Sequence, residues 1–110
     1  MKIAIVRAKS EFEIQLEIVK LLMEALDSDY IVRSEYTYRG CRFDVAIFKK
    51  ETRDLVCTIE IKKKGGMKKY YRQINKYERA TGKPCVLLTE KTAPFAIGVL
   101  RTRLLCSKPS

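Results

Sequence analysis

Two apolar runs joined by a short polar link constrain this chain more than any other feature. Residues 42–49 read RFDVAIFK and residues 55–62 read LVCTIEIK. Both are rich in β-branched and aromatic residues, which suit a pleated, half-buried surface. The link from Lys50 to Asp54 is short and polar, as a hairpin between two antiparallel strands requires. Each run also carries a carboxylate in an apolar setting: Asp44 stands between Phe43 and Val45, and Glu60 between Ile59 and Ile61. A buried carboxylate without a partner is costly, so each of these two must find one.

Strand side chains alternate between faces with a period of two. Val56, Thr58, Glu60 and Lys62 therefore share one face, and Leu55, Cys57, Ile59 and Ile61 the other. A carboxylate and an ammonium end up side by side at the end of an apolar strand. Pairing with the neighbouring strand brings Asp44 close to Glu60. Two ionised carboxylates repel each other, and a divalent cation relieves the repulsion. Mg²⁺ takes oxygen ligands and retains several waters. Such an ion activates a water and stabilises charge on a scissile phosphate. Lys62 would orient or activate that water, or neutralise charge in the transition state. An exposed Glu-x-Lys pair alone is an ordinary solvated ion pair. The apolar setting of Asp44 and the charge of the whole chain set this pair apart.

That charge is +10, from 23 Lys plus Arg against 13 Asp plus Glu, with no histidine. An excess of this size attracts polyanions, nucleic acid first and an anionic membrane surface second. No apolar run reaches the roughly 18 residues that suggest a transmembrane helix, and no signal-peptide layout opens the chain. Cys41, Cys57, Cys85 and Cys106 form no CxxC pair, and no histidine is present to complete a zinc site. Free buried thiols are the simplest account, and they imply a reducing compartment, cytoplasmic or otherwise intracellular.

The rest of the chain supplies the frame. Residues 10–26 (SEFEIQLEIVKLLMEAL) read as a helix with Ser10 as N-cap and Glu11 and Glu13 at the positive end of its dipole. Residues 30–37 read as a strand, and Tyr38, Arg39 and Gly40 as a turn. Gly65-Gly66 ends the strand at 55–62; a second helix over 67–80 stops at Thr81-Gly82. Pro84 to Thr89 reads as a buried strand. Residues 2–7 suit a short strand or a lead-in. From Thr92 to about Leu105 the chain reads as a helix, although FAIGVL serves equally as a strand. With 110 residues the whole of 1–110 makes one domain. Its expected architecture is α/β, a single mixed sheet flanked by helices in the order α-β-β-β-α-β.

The segments RFDVAIF and CTIEIKKK, in this order, resemble the PD-(D/E)xK nuclease superfamily. The leading helix SEFEIQLEIVKLL, the segment GCRFD, and EIKKKGG followed by RQINKYERATGKPCVLLT are most similar to the VRR-NUC domains and the archaeal-type Holliday-junction resolvases. The resemblance covers about residues 10–89; Phe43 stands where the superfamily often has a proline. It implies a restriction-endonuclease-like core and a Mg²⁺- or Mn²⁺-dependent endonuclease acting on DNA. Asp44 and Glu60 would hold the metal, with the Ile61 backbone carbonyl as a further ligand. One compact domain has little surface for reading bases, so branched DNA is the expected substrate. Symmetric cutting of two strands would call for a homodimer, with Phe95 to Leu105 as one interface. An origin in a phage or mobile element is compatible with so small an enzyme. A DNA-binding module that keeps the fold without catalysis is the alternative.

The superfamily often adds an acidic or amide side chain from the first helix. At about 100° per residue, Phe12, Leu16, Val19, Met23 and Leu26 form one stripe, which Ile14, Ile18, Leu21, Leu22 and Ala25 widen. Glu13, Glu17, Lys20 and Glu24 fall on the water side. Glu11 and Gln15 fall within the apolar arc, one turn apart, and match the Glu-x-x-x-Gln pattern of VRR-NUC helices. Both are therefore expected at the catalytic site, Glu11 as a metal ligand. In the second helix Lys68, Arg72, Lys76 and Arg79 recur on one face. With Lys63, Lys64 and Lys69 they form the expected phosphate-binding surface. By the resemblance Gln73 lies near the metal or phosphate. Tyr70 and Tyr77 suit packing at least as well as base stacking.

Overall fold

The computed structural model describes residues 10–26 and 28–100. Helix α1 (Glu11–Ala25) leads into strands β1 (Tyr30–Tyr38), β2 (Cys41–Lys49) and β3 (Leu55–Ile61). Helix α2 (Met67–Thr81) and strand β4 (Cys85–Leu88) follow. A 3₁₀ turn at Ala93–Phe95 runs on into α-helix over 96–100. The described part of FAIGVL is thus helical. Residues 2–7, 101–105 and Cys106 lie outside the described residues.

One four-stranded mixed sheet has the order β1-β2-β3-β4. The first three strands pair antiparallel, and β4 pairs parallel to β3 after the α2 crossover. Local chemistry explains each junction. Ser10 caps α1 by accepting the Glu13 N–H at 3.1 Å. Arg39 and Gly40 both have positive φ, 50° and 75°, as a two-residue hairpin turn of matching twist requires. Gly82 closes α2 in the left-handed conformation, its N–H donating to the Glu78 carbonyl.

The core lies between α1 and one sheet face. Ile14, Ile18 and Leu22 meet Val45, Ile47, Cys57, Ile59, Ile61, Val86 and Leu88. These β3 residues are the apolar face read from the alternation. Each such aliphatic side chain contributes about 1.5–3 kcal/mol on full burial. Ala93, Ala96 and Leu100 join the same cluster, so this part of the C-terminal segment completes the core. Ile74 of α2 is buried, and Tyr77 sets its ring edge against Phe43 at 4.8 Å.

The buried stripe of α1 corrects the sequence expectation. Phe12, Leu16 and Met23 are exposed at 60%, 52% and 61%, while Ile14, Gln15, Ile18 and Leu22 are buried. Apolar residues cover most of this helix's circumference, and a sheet covers only one side. Packing against the sheet selects which part of the arc is buried. Glu11 is correspondingly exposed.

Candidate metal and nucleic-acid site

The β2–β3 ladder ends at Val45↔Ile59. Continued one step, that register would set Asp44 opposite Glu60, but no backbone pairing is formed there. The Asp44 side chain takes over there: its Oδ2 accepts the Ile61 N–H at 2.7 Å. A side-chain oxygen thus replaces the missing backbone acceptor. In extended backbone a residue's N–H and C=O point the same way. The Ile61 carbonyl is therefore on the Asp44 side of β3.

Glu60 is only 5% exposed, and its Oε2 is buried with no hydrogen-bond partner. Burial, and then the charge and hydrogen bonding of Asp44, push its carboxyl up to about 8 from an ordinary value of 4.5. Lys62 acts against that shift, its Nζ lying 3.6 Å from Glu60 Oε1. The Lys62 ammonium also lies 5.4 Å from the centre of the Tyr70 ring. Tyr70 fastens the loop after β3: its hydroxyl donates to the Lys64 carbonyl at 2.8 Å. Its ring fills the space beside Gly65 (φ 114°), where an added Cβ would sit 2.8 Å from a ring carbon. Of the two roles open to Tyr70, packing is the one its surroundings display.

The first helix reaches the same place. Gln15 Nε2 donates to the Asp44 carbonyl and to Glu35 Oε1, both at 3.2 Å. Glu11 Oε1 accepts the Lys63 N–H at 3.3 Å, just past the end of β3. Glu11 is not gathered with Asp44 and Glu60 as a third carboxylate. Among the described residues no three His, Cys, Asp or Glu side chains group as a metal site. Gln73 donates to the Tyr77 hydroxyl at 3.1 Å within α2, rather than to the carboxylate pair.

The pair nevertheless has the donor chemistry of a hard divalent cation. Asp44 and Glu60 supply adjacent carboxylate oxygens, one of them orphaned. An unsatisfied buried carboxylate oxygen is expensive, and a cation would satisfy it. Asp44 and Glu60 would hold the ion, with the Ile61 carbonyl on their side of the strand.

The loop after β3 and helix α2 carry exposed cations. Lys63, Lys64, Lys68, Lys69, Arg72, Lys76 and Arg79 are all exposed. An open cleft of about 660 Å³ lies between Lys63, Lys64 and Gly65 on one side and Thr89, Glu90 and Lys91 on the other. Lys91 belongs to no sequence pattern, because parallel pairing of β3 with β4 is what sets the two following loops together. Glu35 and Arg42 escape sequence reasoning for a similar cause. Their link, Arg42 Nη2 to Glu35 Oε2 at 2.6 Å, crosses the β1–β2 hairpin diagonally. An acidic and a basic residue seven apart carry no motif. Cys41, Cys57 and Cys85 are buried free thiols. Burial pushes Cys57 and Cys85 up to about 12, so neither is a nucleophile.

Among the described residues no helix is long and apolar enough to cross a membrane. The chain matches no protein-family model, no curated protein and no solved structure.

Proposed function

We propose that this chain is a Mg²⁺- or Mn²⁺-dependent endonuclease that hydrolyses DNA phosphodiester bonds. The observation that carries the reading is the adjacency of Asp44 and Glu60 beside Lys62, with Glu60 Oε2 buried and unpartnered. The element order, one helix, three antiparallel strands, a helix and a parallel strand, supports a restriction-endonuclease-like core. The net charge of +10 supports a polyanionic substrate.

A bound divalent cation would supply the Lewis-acid charge that activates water and polarises the scissile phosphate. Asp44 and Glu60 would hold it at the end of β3. Lys62, braced by Tyr70, places a positive charge beside that position and offsets charge developing on the phosphate. The basic face of α2 and the Lys63–Lys64 loop hold the backbone on either side without reading bases. Branched DNA is the substrate such a surface suits, because it selects by shape. Paired cuts across a junction would use a homodimer.

Cleavage of branched, single-stranded and linear duplex DNA with Mg²⁺ or Mn²⁺ tests the reading. Wild type is expected to cut, and Asp44→Asn, Glu60→Gln and Lys62→Ala to lose activity. Undiminished cutting by all three variants would sink the site assignment. Metal-independent binding without any cleavage by wild type would leave a DNA-binding module.

A further inference from the structure

The two chain segments that leave the carboxyl ends of β3 and β4 run side by side. Parallel pairing sets Glu60 beside Leu87 and Ile61 beside Leu88. Backbone bonding continues past both strands. The Lys62 N–H donates to the Leu88 carbonyl at 3.0 Å, and the Glu90 N–H to the Lys63 carbonyl at 3.3 Å. The segments then flank the open cleft of about 660 Å³ whose walls are Lys63, Lys64 and Gly65 on one side and Thr89, Glu90 and Lys91 on the other. That volume is on the scale of a small-ligand or nucleotide site.

Both walls are held in place. The Tyr70 hydroxyl donates to the Lys64 carbonyl at 2.8 Å, and Glu11 Oε1 accepts the Lys63 N–H at 3.3 Å. Opposite them, Thr92 Oγ1 accepts the Thr89 N–H and the Thr89 carbonyl accepts the Ala93 N–H, both at 2.8 Å. Lys63, Lys64 and Lys91 are exposed, and among the described residues none of their ammonium groups is ion-paired to a carboxylate. Glu90 lines the same cleft without bridging any of them. Like charges on two walls of one cleft repel each other, and an anion between them relieves the repulsion. The cleft also adjoins the proposed catalytic centre. Lys62, with its Nζ 3.6 Å from Glu60 Oε1, immediately precedes Lys63.

We propose that this cleft is a phosphodiester subsite for DNA, in which Lys91, with Lys63 and Lys64, contacts a backbone phosphate neighbouring the scissile one on the strand being cut. The inference rests on the nuclease reading and deepens it. Lys91 is the cation that the β4 side supplies, so the strand crosses the end of β3 rather than only following α2. A lysine is a compact point charge on a flexible stem, suited to one phosphate and indifferent to base identity. The subsite fixes which phosphodiester lies at Asp44 and Glu60 without reading sequence.

The test is binding of the full chain to synthetic branched DNA in EDTA, where no divalent ion is free and no metal-dependent cutting takes place. One strand carries a single neutral methylphosphonate, moved one position at a time along its length. Neutralising one particular phosphate should weaken wild-type binding about two- to fivefold, the scale of one exposed ion pair. In Lys91→Ala that penalty should vanish while penalties at other positions persist, and Lys91→Arg should restore it. The sensitive position should lie beside the bond that wild type cuts in Mn²⁺. Lys91 is exposed, so thermal unfolding of both variants should match wild type. Penalties unchanged at every position in Lys91→Ala would overturn the proposal, even with weaker binding throughout, because a general field of charge has no position. A sensitive position far from the cut would also overturn it. Competition separates a site for free phosphate. Inorganic phosphate that displaces DNA from wild type but not from Lys91→Ala at matched ionic strength, with no sensitive position, would remove the DNA assignment. If wild type binds and cuts without the coupling, only this inference fails. If wild type binds no DNA, or binds and never cuts, the nuclease reading fails and takes this inference with it.

Discussion

The Asp44 carboxylate accepts the backbone N–H of Ile61 at 2.7 Å, where the β2–β3 ladder has stopped. One side chain therefore closes the sheet and faces Glu60. A fold role and the proposed chemical role meet in a single residue, and substitutions can separate them.

Asp44→Asn keeps an oxygen for the Ile61 N–H, so its stability should change by less than about 1 kcal/mol. Asp44→Ala orphans that N–H at a cost of about 1–3 kcal/mol. Both should abolish cleavage, since neither retains the charge beside Glu60. Urea unfolding combined with a cleavage assay checks the pair. Equal destabilisation of both variants would count against the capping role.

Glu60 gives the metal-free protein a pH dependence of defined sign. Burial and Asp44 raise its folded value to about 8, above the ordinary 4.5. A group raised on folding contributes its stability fully below the unfolded value and loses it as pH rises through the folded one. Stability of the metal-free chain should therefore decline from this group as pH rises from the ordinary 4.5 to about 8. Glu60→Gln should flatten the decline, and Mg²⁺ or Mn²⁺ should raise the unfolding midpoint of wild type most at the alkaline end. Thermal melts across this range, with and without metal, measure both effects.

The exposed basic side chains of α2 should bind phosphates. Replacing Arg72 and Lys76 by Ala should weaken binding to all DNA shapes alike. It should also reduce the slope of log affinity against log salt by about 0.9 for each phosphate left without its cation on duplex DNA. Salt titrations by fluorescence anisotropy give the slope directly. An unchanged slope would place the DNA elsewhere.

The buried face of α1 predicts opposite outcomes for two neighbouring aliphatic residues. Ile18→Ala opens a cavity in the core and should cost about 2–5 kcal/mol. Leu16→Ala, on the exposed side, should stay within about 0.5 kcal/mol. Denaturant midpoints distinguish them; a reversal would restore the stripe read from the sequence.

Much of the frame is legible in the residues themselves. Short-range rules place nearly every element: Ser10 caps α1, Arg39-Gly40 turns the first hairpin, and Gly82 stops α2. Alternation puts Glu60 and Lys62 on one side of β3, and the structure has them 3.6 Å apart. Gln15 stands out in the sequence as a polar residue entering an apolar arc, and it is buried against Asp44. Glu11 stands out by the same logic and is exposed, because the sheet covers a narrower arc than the apolar residues span.

Period and capping are properties of a few neighbouring residues, so the sequence by itself determined helices α1 and α2, the four strands of the sheet and the carboxylate-lysine pair on β3, but left the helix over 96–100 open between helix and strand. Only the tertiary structure decided which side of α1 is buried, since several stripes are apolar enough and the sheet can cover only one. It also decided that Asp44 caps Ile61, that Lys91 joins the Lys63–Lys64 loop, and that Glu35 leaves ordinary backbone geometry to reach Gln15. Each of these depends on strand register and crossover, where residues distant in the chain meet and no local pattern records the meeting.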